Sequence, residues 1–370
     1  FSMAALFIGL MSGTILDVIV AALLVLSSSQ PVILATHSHA CPAPLHGQLQ
    51  AAMQLKEPLQ ADLTALDREV GDCFAAAANA LLQKSDTDPA SVTAIGSHGQ
   101  TIRHEPDVSQ PYSLQIGSPD IIAARTGIDV VADFRRADIE AGGQGAPLAS
   151  AFHRAVLAHP GEDRVVLNLG GIANITTLPA DTSTAVSGFD TGPASTLMDY
   201  WVQQHLETSM DAGGEWAAGG QIDRTLLTKM LADSYFRSIP PKSTGREHFN
   251  ADWLNRFIAG LDTPAQWIQT TLCELTARSV ADAVHTFAED TRRVIVCGGG
   301  ARNDYLMTRL QANLPGIAID SSDAHGISPD WVEAAAFAWL AQRRLEEKAG
   351  NLPSVTGAER AVLLGTIHRH

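Results

Sequence analysis

The stretch GLMSGTILD, Gly9–Asp17, lies between two apolar runs, Ala4–Ile8 and Val18–Leu26. Two short apolar runs joined by small and polar residues predict a β-hairpin. Small residues allow backbone N–H groups to approach an anion closely, and a carboxylate such as that of Asp17 can hold Mg²⁺. The turn is therefore suited to the phosphates of a nucleotide, although an ordinary tight hairpin in a buried sheet also explains these residues.

The same pattern returns in the second half of the chain. Arg164–Leu167 predicts a strand, Asn168–Gly171 a turn with two glycines, and Ile172–Thr176 the returning strand. A repeat after about 155 residues indicates an internal duplication. Because strands and helices alternate along the chain, we predict an α/β protein with two similar lobes that face a cleft.

The other elements follow from the spacing of apolar residues. The predicted helices are Leu45–Lys84 with a break near Gly71, Ser195–His205, Thr225–Phe236, Thr263–Phe287 and Trp331–Lys348, and further strands are Val32–Thr36, Val92–Ile95, Val130–Val131 and Val294–Cys297. The uncharged, glycine-rich run Ala141–Leu148 is typical of a hinge. We therefore expect an N-terminal lobe of residues 1–135 and a C-terminal lobe of residues 136–344, with residues 345–370 packed back on the first.

Composition narrows the function classes. A chain of 370 residues with 45% hydrophobic residues can bury a large core. Its net charge of −15, without a long basic cluster, argues against binding to nucleic acid or to an anionic membrane surface. Asp17 interrupts the apolar run 4–26, which argues against a membrane span. The four cysteines form no CxxC pair, so the sequence predicts no zinc site and fits a reducing cytoplasm.

Several polar residues stand where open α/β sheets place ligands, at the ends of predicted strands. Asp190 in FDTGP is either a proton-accepting carboxylate or the cap of the following turn. Gly298, Gly299 and Gly300 either pack against adenosine or form a strand-to-helix turn. His98 and Gln100 are either sugar ligands or parts of a structural polar loop, and Lys242 and Arg246 are either anion-binding or merely solvated cations. His37 and His39 are either a metal-binding pair or residues on the solvent-facing side of a strand. Glu333 is interpreted as a surface residue.

Longer motifs make the sequence specific. They are, in order, GLMSGT, IGSHGQTIRHEP (Ile95–Pro106), VVADFRRADIEAGGQGAPL (Val130–Leu148), NLGGIANIT, GFDTGP, KSTGRE, VCGGGARN and ISPDWVEAAAFAWLA (Ile327–Ala341). Together they resemble the anhydro-N-acetylmuramic acid kinase family over nearly the whole chain. The resemblance implies the sugar kinase, hsp70 and actin-like ATPase superfamily, with duplicated ribonuclease-H-like lobes around a central nucleotide cleft.

The resemblance also implies a reaction and its residues. ATP and Mg²⁺ bind, water opens the anhydro bond of 1,6-anhydro-N-acetylmuramic acid from peptidoglycan recycling, and O6 takes the γ-phosphoryl group to give N-acetylmuramic acid 6-phosphate. Asp190 matches the family's catalytic base. The other matching positions are Ser12, Gly13, Thr14 and Asp17 at the first phosphate motif, with Asp17 also the metal ligand, Gly170, Gly171 and Asn174 at the second, Gly298, Gly299 and Gly300 beside adenosine, and His98, Gln100, Arg135 and Glu333 on the sugar side. Such an enzyme is cytoplasmic and needs only small molecules as partners. A homodimer is one oligomeric state that is consistent with it.

The chain departs from the family in its first motif, where Ile15, Val18 and Val20 replace a hydroxyl residue, a glycine and a carboxylate. FDTGP is also followed by Ala194 and Ser195 instead of glycine and asparagine. These changes keep two alternatives open beside the active kinase. One is a non-catalytic sugar- or nucleotide-binding homologue, and the other is an ordinary sugar or acetate kinase of the superfamily that phosphorylates a free hydroxyl.

Overall fold

The computed structural model describes residues 5–13, 18–27, 30–106 and 108–370. The strands are β1 Ala5–Ser12, β2 Val18–Leu26, β3 Val32–Ala40, β4 Val92–Ser97, β5 Gln100–Glu105, β6 Tyr112–Ile116, β7 Val130–Ala132, β8 Arg164–Leu169, β9 Ile172–Leu178, β10 Gly188–Pro193, β11 Arg293–Cys297, β12 Ala318–Ser321 and β13 Thr366–His368. The α-helices are α1 Ala43–Met53, α2 Thr64–Lys84, α3 Pro119–Thr126, α4 Arg136–Glu140, α5 Ala149–Leu157, α6 Ser195–Leu206, α7 Glu215–Ala218, α8 Arg224–Leu231, α9 Ser234–Arg237, α10 Ala251–Ile258, α11 Ala265–Phe287, α12 Asp304–Asn313, α13 Val332–Leu345 and α14 Pro353–Thr356.

The chain divides into two compact units, which are described separately. The first unit comprises Phe1–Val156 and Trp331–His370, and the second comprises Leu157–Asp330. The strand order is β13-β7-β4-β1-β2-β3 in the main sheet of the first unit and β10-β9-β8-β11-β12 in the sheet of the second. In both sheets three antiparallel strands from consecutive hairpins continue into parallel strands. The shared order confirms the predicted α/β class and the internal duplication.

The opening apolar stretch forms two central strands of the first sheet. β1 and β2 pair in antiparallel register from Ala5 opposite Leu26 to Ser12 opposite Ile19, which confirms the predicted hairpin. Residues 14–17, which join the two strands, lie outside the described residues. Within the described part of the chain, no helix is long and apolar enough to cross a membrane.

Three element predictions need correction. The long helical segment is interrupted at residues 54–63, and not near Gly71, which lies inside α2. The predicted helix Thr225–Phe236 is two helices, because the Asp233 side chain caps a new helix by accepting from Tyr235 N. The segment after His98 is a strand, β5, which pairs with β6 in a separate two-stranded sheet.

The bounds of the two units also differ from the expected lobe boundaries at residues 135 and 344. Helix α13 packs on β1 and β4, so it belongs with the first unit. Two glycines permit this close packing, since a Cβ on Gly9 would lie 1.7 Å from the Ala334 carbonyl oxygen and one on Gly96 would lie 2.0 Å from that of Phe337. The glycine-rich run after α4 is likewise bound to the C-terminal segment, because Gln144 N donates to Thr356 O at 2.8 Å.

Candidate active site

Asp190 lies on β10 of the second unit, opposite Asn174 of β9. One carboxylate oxygen, Oδ2, accepts a 2.9 Å hydrogen bond from the backbone N–H of Thr244. The Asp190 carbonyl oxygen accepts a 2.7 Å bond from the Tyr235 hydroxyl, and the Asp190 N–H donates to Lys242 O at 3.3 Å. The KSTGRE segment therefore fixes this aspartate. The capping alternative is wrong, since α6 begins after Ala194 without a side-chain cap.

The environment of Asp190 suits a proton acceptor near neutral pH. Burial raises the pKa of Asp190 to about 7, against the opposing effects of the Thr244 N–H and the Lys242 charge. Burial in turn lowers the pKa of Lys242, whose Nζ donates to Tyr235 O at 3.2 Å and lies 4.7 Å from the Tyr235 ring centroid. A base with a pKa near the working pH is the most effective kind.

The second glycine turn, Gly170–Gly171, is joined to the first turn of α6. Gly170 O accepts from Ser195 N at 3.1 Å, and Gly171 O accepts from the N–H groups of Ala194 and Thr196. A Cβ on Gly171 would lie 2.7 Å from Thr196 Oγ1. The Thr196 hydroxyl is buried and has no hydrogen-bond partner among the described residues. The turn thus combines small residues with a buried hydroxyl that has no partner among the described residues.

Two of the three glycines after β11, Gly298 and Gly300, are required by close contacts. Gly298 has φ +81°, and a Cβ there would lie 2.5 Å from Asn168 Oδ1. Gly300 is equally constrained by Leu169, whereas Gly299 faces open space. The structural interpretation as a tight turn after a strand therefore holds, and it leaves Gly299 accessible to a ligand.

His98, Gln100 and Arg135 come together in the first unit, although 37 positions separate His98 from Arg135. Arg135 Nη2 donates to His98 Nε2 at 2.8 Å, while His98 Nδ1 donates to Gly99 O at 2.9 Å. Burial and the Arg135 charge hold the pKa of His98 well below its usual value, so the ring is neutral. Gln100 Oε1 accepts from the buried Ser12 hydroxyl at 2.6 Å, which connects this group to the end of β1.

Glu333 is only partly exposed and interacts with the charge of Arg135, so it is not the free surface residue that the helical pattern predicts. It lies in the first turn of α13, where burial raises its pKa and the Arg135 charge lowers it. Burial in turn lowers the pKa of Arg135 to about 10, against the attraction of Glu333 and Asp138. The helical pattern alone placed Glu333 on a polar face. The spacing of apolar residues does not reveal that α13 packs against β1 and β4.

The first phosphate motif is only partly described. Ser12 is buried at the end of β1 and Gly13 is exposed, whereas Thr14, Ile15 and Asp17 lie outside the described residues. Val18 is exposed at the start of β2, and Val20 lies opposite Met11. His37 Nε2 and His39 Nδ1 are 3.4 Å apart. Among the described residues, no group of three or more His, Cys, Asp and Glu side chains is arranged to hold a metal ion.

Sequence reasoning missed several residues that support these groups. Thr244 and Tyr235 bind Asp190, and the buried Asp138 binds the backbone of the glycine-rich run. Gly214 was also missed; a Cβ on it would lie 2.2 Å from Asn303 Oδ1, next to the turn after β11. The only signals were the motifs KSTGRE and VVADFRRADIEAGGQGAPL, which contain Thr244 and Asp138 without indicating their partners.

Comparisons with known proteins agree with the motifs. The sequence model of the family described as "Anhydro-N-acetylmuramic acid kinase" matches residues 5–370. A protein of that name from Xanthomonas axonopodis pv. citri is 50% identical over 367 residues, covering 98% of this chain and 98% of the relative. One from Coxiella burnetii (strain RSA 493 / Nine Mile phase I) is 46% identical over 362 residues, covering 98% and 97%. The chain belongs to the anhydro-N-acetylmuramic acid kinase family.

Proposed function

We propose that this chain is an ATP-dependent kinase that opens 1,6-anhydro-N-acetylmuramic acid and phosphorylates O6. Relatives that carry this name match the chain at 46–50% identity over nearly its whole length. The observation that carries the proposal is the state of Asp190, whose carboxylate is fixed by Thr244 and has a pKa of about 7. Such a group can take a proton from the water that opens the anhydro ring.

The proposed reaction couples hydrolysis of the anhydro bond to transfer of the γ-phosphoryl group. Asp190 takes a proton from a water molecule as the water oxygen bonds to the anomeric carbon. The bond from that carbon to O6 breaks, and O6 forms a bond to the γ-phosphorus of ATP as ADP leaves. The products are N-acetylmuramic acid 6-phosphate and ADP. General-base assistance of this kind contributes about 10²–10⁴-fold to a rate.

For the phosphates of ATP we propose two sets of residues. In the second unit, Gly170, Gly171 and Asn174 contact the phosphates, and the free hydroxyl of Thr196 adds a donor beside them. In the first unit the positions that match the family's phosphate motif are Ser12, Gly13, Thr14 and Asp17. We assign adenosine to Gly298, Gly299 and Gly300 of the second unit. Mg²⁺ would be held by Asp17 together with phosphate oxygens, since Mg²⁺ usually binds through one or two carboxylates and substrate phosphates. When bound, it neutralises charge on the transferred group.

For the sugar we propose His98, Gln100, Arg135 and Glu333. Neutral His98 is held in one tautomer, with Nδ1 protonated, because Gly99 O can only accept. The Arg135 guanidinium is fixed by His98 and by Gly145 O. These groups offer fixed donors and one carboxylate acceptor, which suits an acceptor with hydroxyl, amide and carboxylate groups. We further propose a cytoplasmic role in peptidoglycan recycling and a homodimer as the assembly to test.

The test combines ADP release with identification of the product. Purified protein with ATP, Mg²⁺ and the anhydro sugar should release ADP and form a sugar 6-phosphate in equal amounts. Sugar binding in calorimetry without ADP release at high enzyme concentration would reject the kinase and favour the non-catalytic homologue suggested by Ile15, Val18 and Val20.

A further inference from the structure

The carboxylate of Asp138 is buried in the first unit and makes three hydrogen bonds. Oδ2 accepts from Gly145 N at 2.8 Å, and Oδ1 accepts from Asn351 Nδ2 at 2.6 Å and from Thr356 Oγ1 at 2.7 Å. Asp138 is fully buried, with 0% of its surface exposed. Burying a polar group is costly unless it is hydrogen-bonded, and three donors satisfy this one.

The backbone of Gly145 connects Asp138 to Arg135 through the two successive peptide units that flank its Cα. Its N–H donates to the Asp138 carboxylate, while its carbonyl oxygen accepts a 2.7 Å hydrogen bond from Arg135 Nη1. Arg135 reaches His98 with its other donors, at 2.8 Å from Nη2 and 3.3 Å from Nε. Gly145 has φ +68°, and a Cβ there would lie 2.9 Å from Ile139, so only glycine fits this position well.

We propose that Asp138 is a positioning residue that sets the orientation of the Arg135 guanidinium through the backbone of Gly145. The inference rests on the proposed function, which assigns Arg135 to the sugar. Asp138 itself touches neither substrate. Its carboxylate fixes the Gly145 N–H, in the peptide unit before the Gly145 Cα, and the Gly145 carbonyl, in the peptide unit after it, accepts from one arm of the arginine fork.

Charge and donor count explain why an aspartate is needed. The two carboxyl oxygens of an aspartate offer enough acceptor positions for all three of the donors named above. An asparagine of the same shape would turn an NH₂ group toward at least one of these donors. The backbone of Gly145 would then lose its fixed orientation, and Arg135 would lose the fixed acceptor at Gly145 O.

The test is a double-mutant cycle read by steady-state kinetics. We expect Asp138→Asn to raise KM for the sugar about 10-fold, while KM for ATP changes less than about two-fold. In an Arg135→Lys background the same change should raise KM for the sugar by less than about two-fold, because lysine lacks the fork that spans Gly145 O and His98. Thr356→Val is the matched control. It removes a hydrogen bond to Oδ1 but spares the Gly145 contact, so it should lower the unfolding temperature without changing KM for the sugar.

A second measurement does not depend on the folding of a variant. Coupling between two contacts is reciprocal, so sugar binding should slow hydrogen exchange of the Gly145 amide in the wild-type protein by up to about 10-fold. Equal effects of Asp138→Asn in both backgrounds, an equal effect of Thr356→Val on KM for the sugar, or unchanged Gly145 exchange would overturn the inference. Wild-type turnover is measured first, so that its absence rejects the proposed function and these outcomes reject only the role of Asp138.

Discussion

At the scale of single residues, Asp190 combines two properties that oppose each other. Its carboxylate is buried enough for its pKa to rise to about 7, yet it keeps a hydrogen bond from Thr244 N that favours the charged form. A fully hydrated aspartate would be a weaker base toward the water whose proton Asp190 takes in the proposed ring opening. The KSTGRE segment therefore adjusts the group for the proposed reaction.

We predict that Asp190→Asn lowers turnover by at least about 10²-fold while ATP binding persists. Asparagine keeps an oxygen that can accept from Thr244 N but cannot take a proton. ADP release measures turnover, and calorimetry measures ATP binding. Turnover equal to that of the wild type would exclude Asp190 as the base.

The pH dependence of kcat/KM for the sugar gives an independent test. Asp190 must be ionised to act, so kcat/KM should fall as the pH drops below about 7, the pKa of this group in the free enzyme. Lys242→Met removes the cation that lowers this pKa, so the acidic limb should move to higher pH, and Lys242→Arg should restore it. A profile that is flat between pH 5 and 8 would contradict this account.

Individual residues were only partly predictable from the sequence. Asp190 could be proposed because FDTGP combines a carboxylate with a glycine turn, and Gly298 because three glycines follow an apolar strand. Glu333 was misplaced, since its burial depends on the packing of α13 against β1 and β4. Asp138 could not be found, because its partners Asn351 and Thr356 are more than 200 positions away.

At the scale of elements, the parallel strands β8 and β11 begin with two arginines in direct register, Arg164 and Arg293. Glu162 binds both, with 2.6 Å from Arg164 Nε and 3.0 Å from Arg293 Nε to Oε2. Arg293 also pairs with Asp320 of β12. The carboxylates offset a repulsion that would otherwise separate the first residues of these strands.

Glu162→Gln should therefore destabilise the protein at pH 7 by about 1–2 kcal/mol. Hydrogen bonds from the Arg293 side chain are the main cause that holds the pKa of Glu162 at about 2. This contribution is fully present above the unfolded pKa of 4.5 and is lost as the pH falls through about 2. Thermal unfolding from pH 2 to 7 checks it, and a difference between variant and wild type that grows toward acid pH would contradict the sign.

Helix α13 offers a prediction about close packing. Gly96→Ala would place a Cβ 2.0 Å from the Phe337 carbonyl oxygen, so β4 and α13 must separate. We expect a loss of stability of about 1–3 kcal/mol, together with weaker sugar binding because Glu333 moves with the helix. Gly47→Ala is the control: Gly47 is exposed inside α1 with open space around it, so alanine should stabilise by about 0.5–1 kcal/mol. Equal unfolding temperatures for the two variants would refute the packing argument.

Elements with strong apolar patterns were predictable, and polar ones were not. β1 and β2 are buried strands inside the first sheet, so their residues form continuous apolar runs. β5 reads QTIRHE and pairs only with β6 in a two-stranded sheet, so its polar residues resemble a loop. Local capping by Asp233 ended α8 and began α9 within a pattern that continues in the sequence.

At the scale of the whole molecule, the first unit is built from two distant pieces of chain. Residues Trp331–His370 return to a unit that begins with β1, whereas Leu157–Asp330 is continuous. The expected boundaries followed the glycine-rich run, but backbone hydrogen bonds of that run with Thr356 and Glu359 place it inside the first unit. Composition could reveal the run, but only the fold reveals which part of the chain it binds.

This arrangement predicts different behaviour for two fragments. The fragment 157–330 has its own sheet and apolar core, so it should unfold cooperatively on heating, as followed by circular dichroism. A fragment that ends at residue 330 lacks α13 and leaves the packed face of β1 and β4 bare, so it should bind a dye for exposed apolar surface. Non-cooperative unfolding of the fragment 157–330 would show that the two units do not fold independently.

Labelled water tests most directly whether one enzyme both hydrolyses the anhydro bond and phosphorylates O6. The protein is incubated with ATP, Mg²⁺ and 1,6-anhydro-N-acetylmuramic acid in ¹⁸O-water, and the product is identified by mass spectrometry and fragmentation. We predict a 6-phosphate that carries ¹⁸O on the anomeric carbon and none in the transferred phosphoryl group. A phosphorylated sugar with an intact anhydro ring and no ¹⁸O would contradict the account.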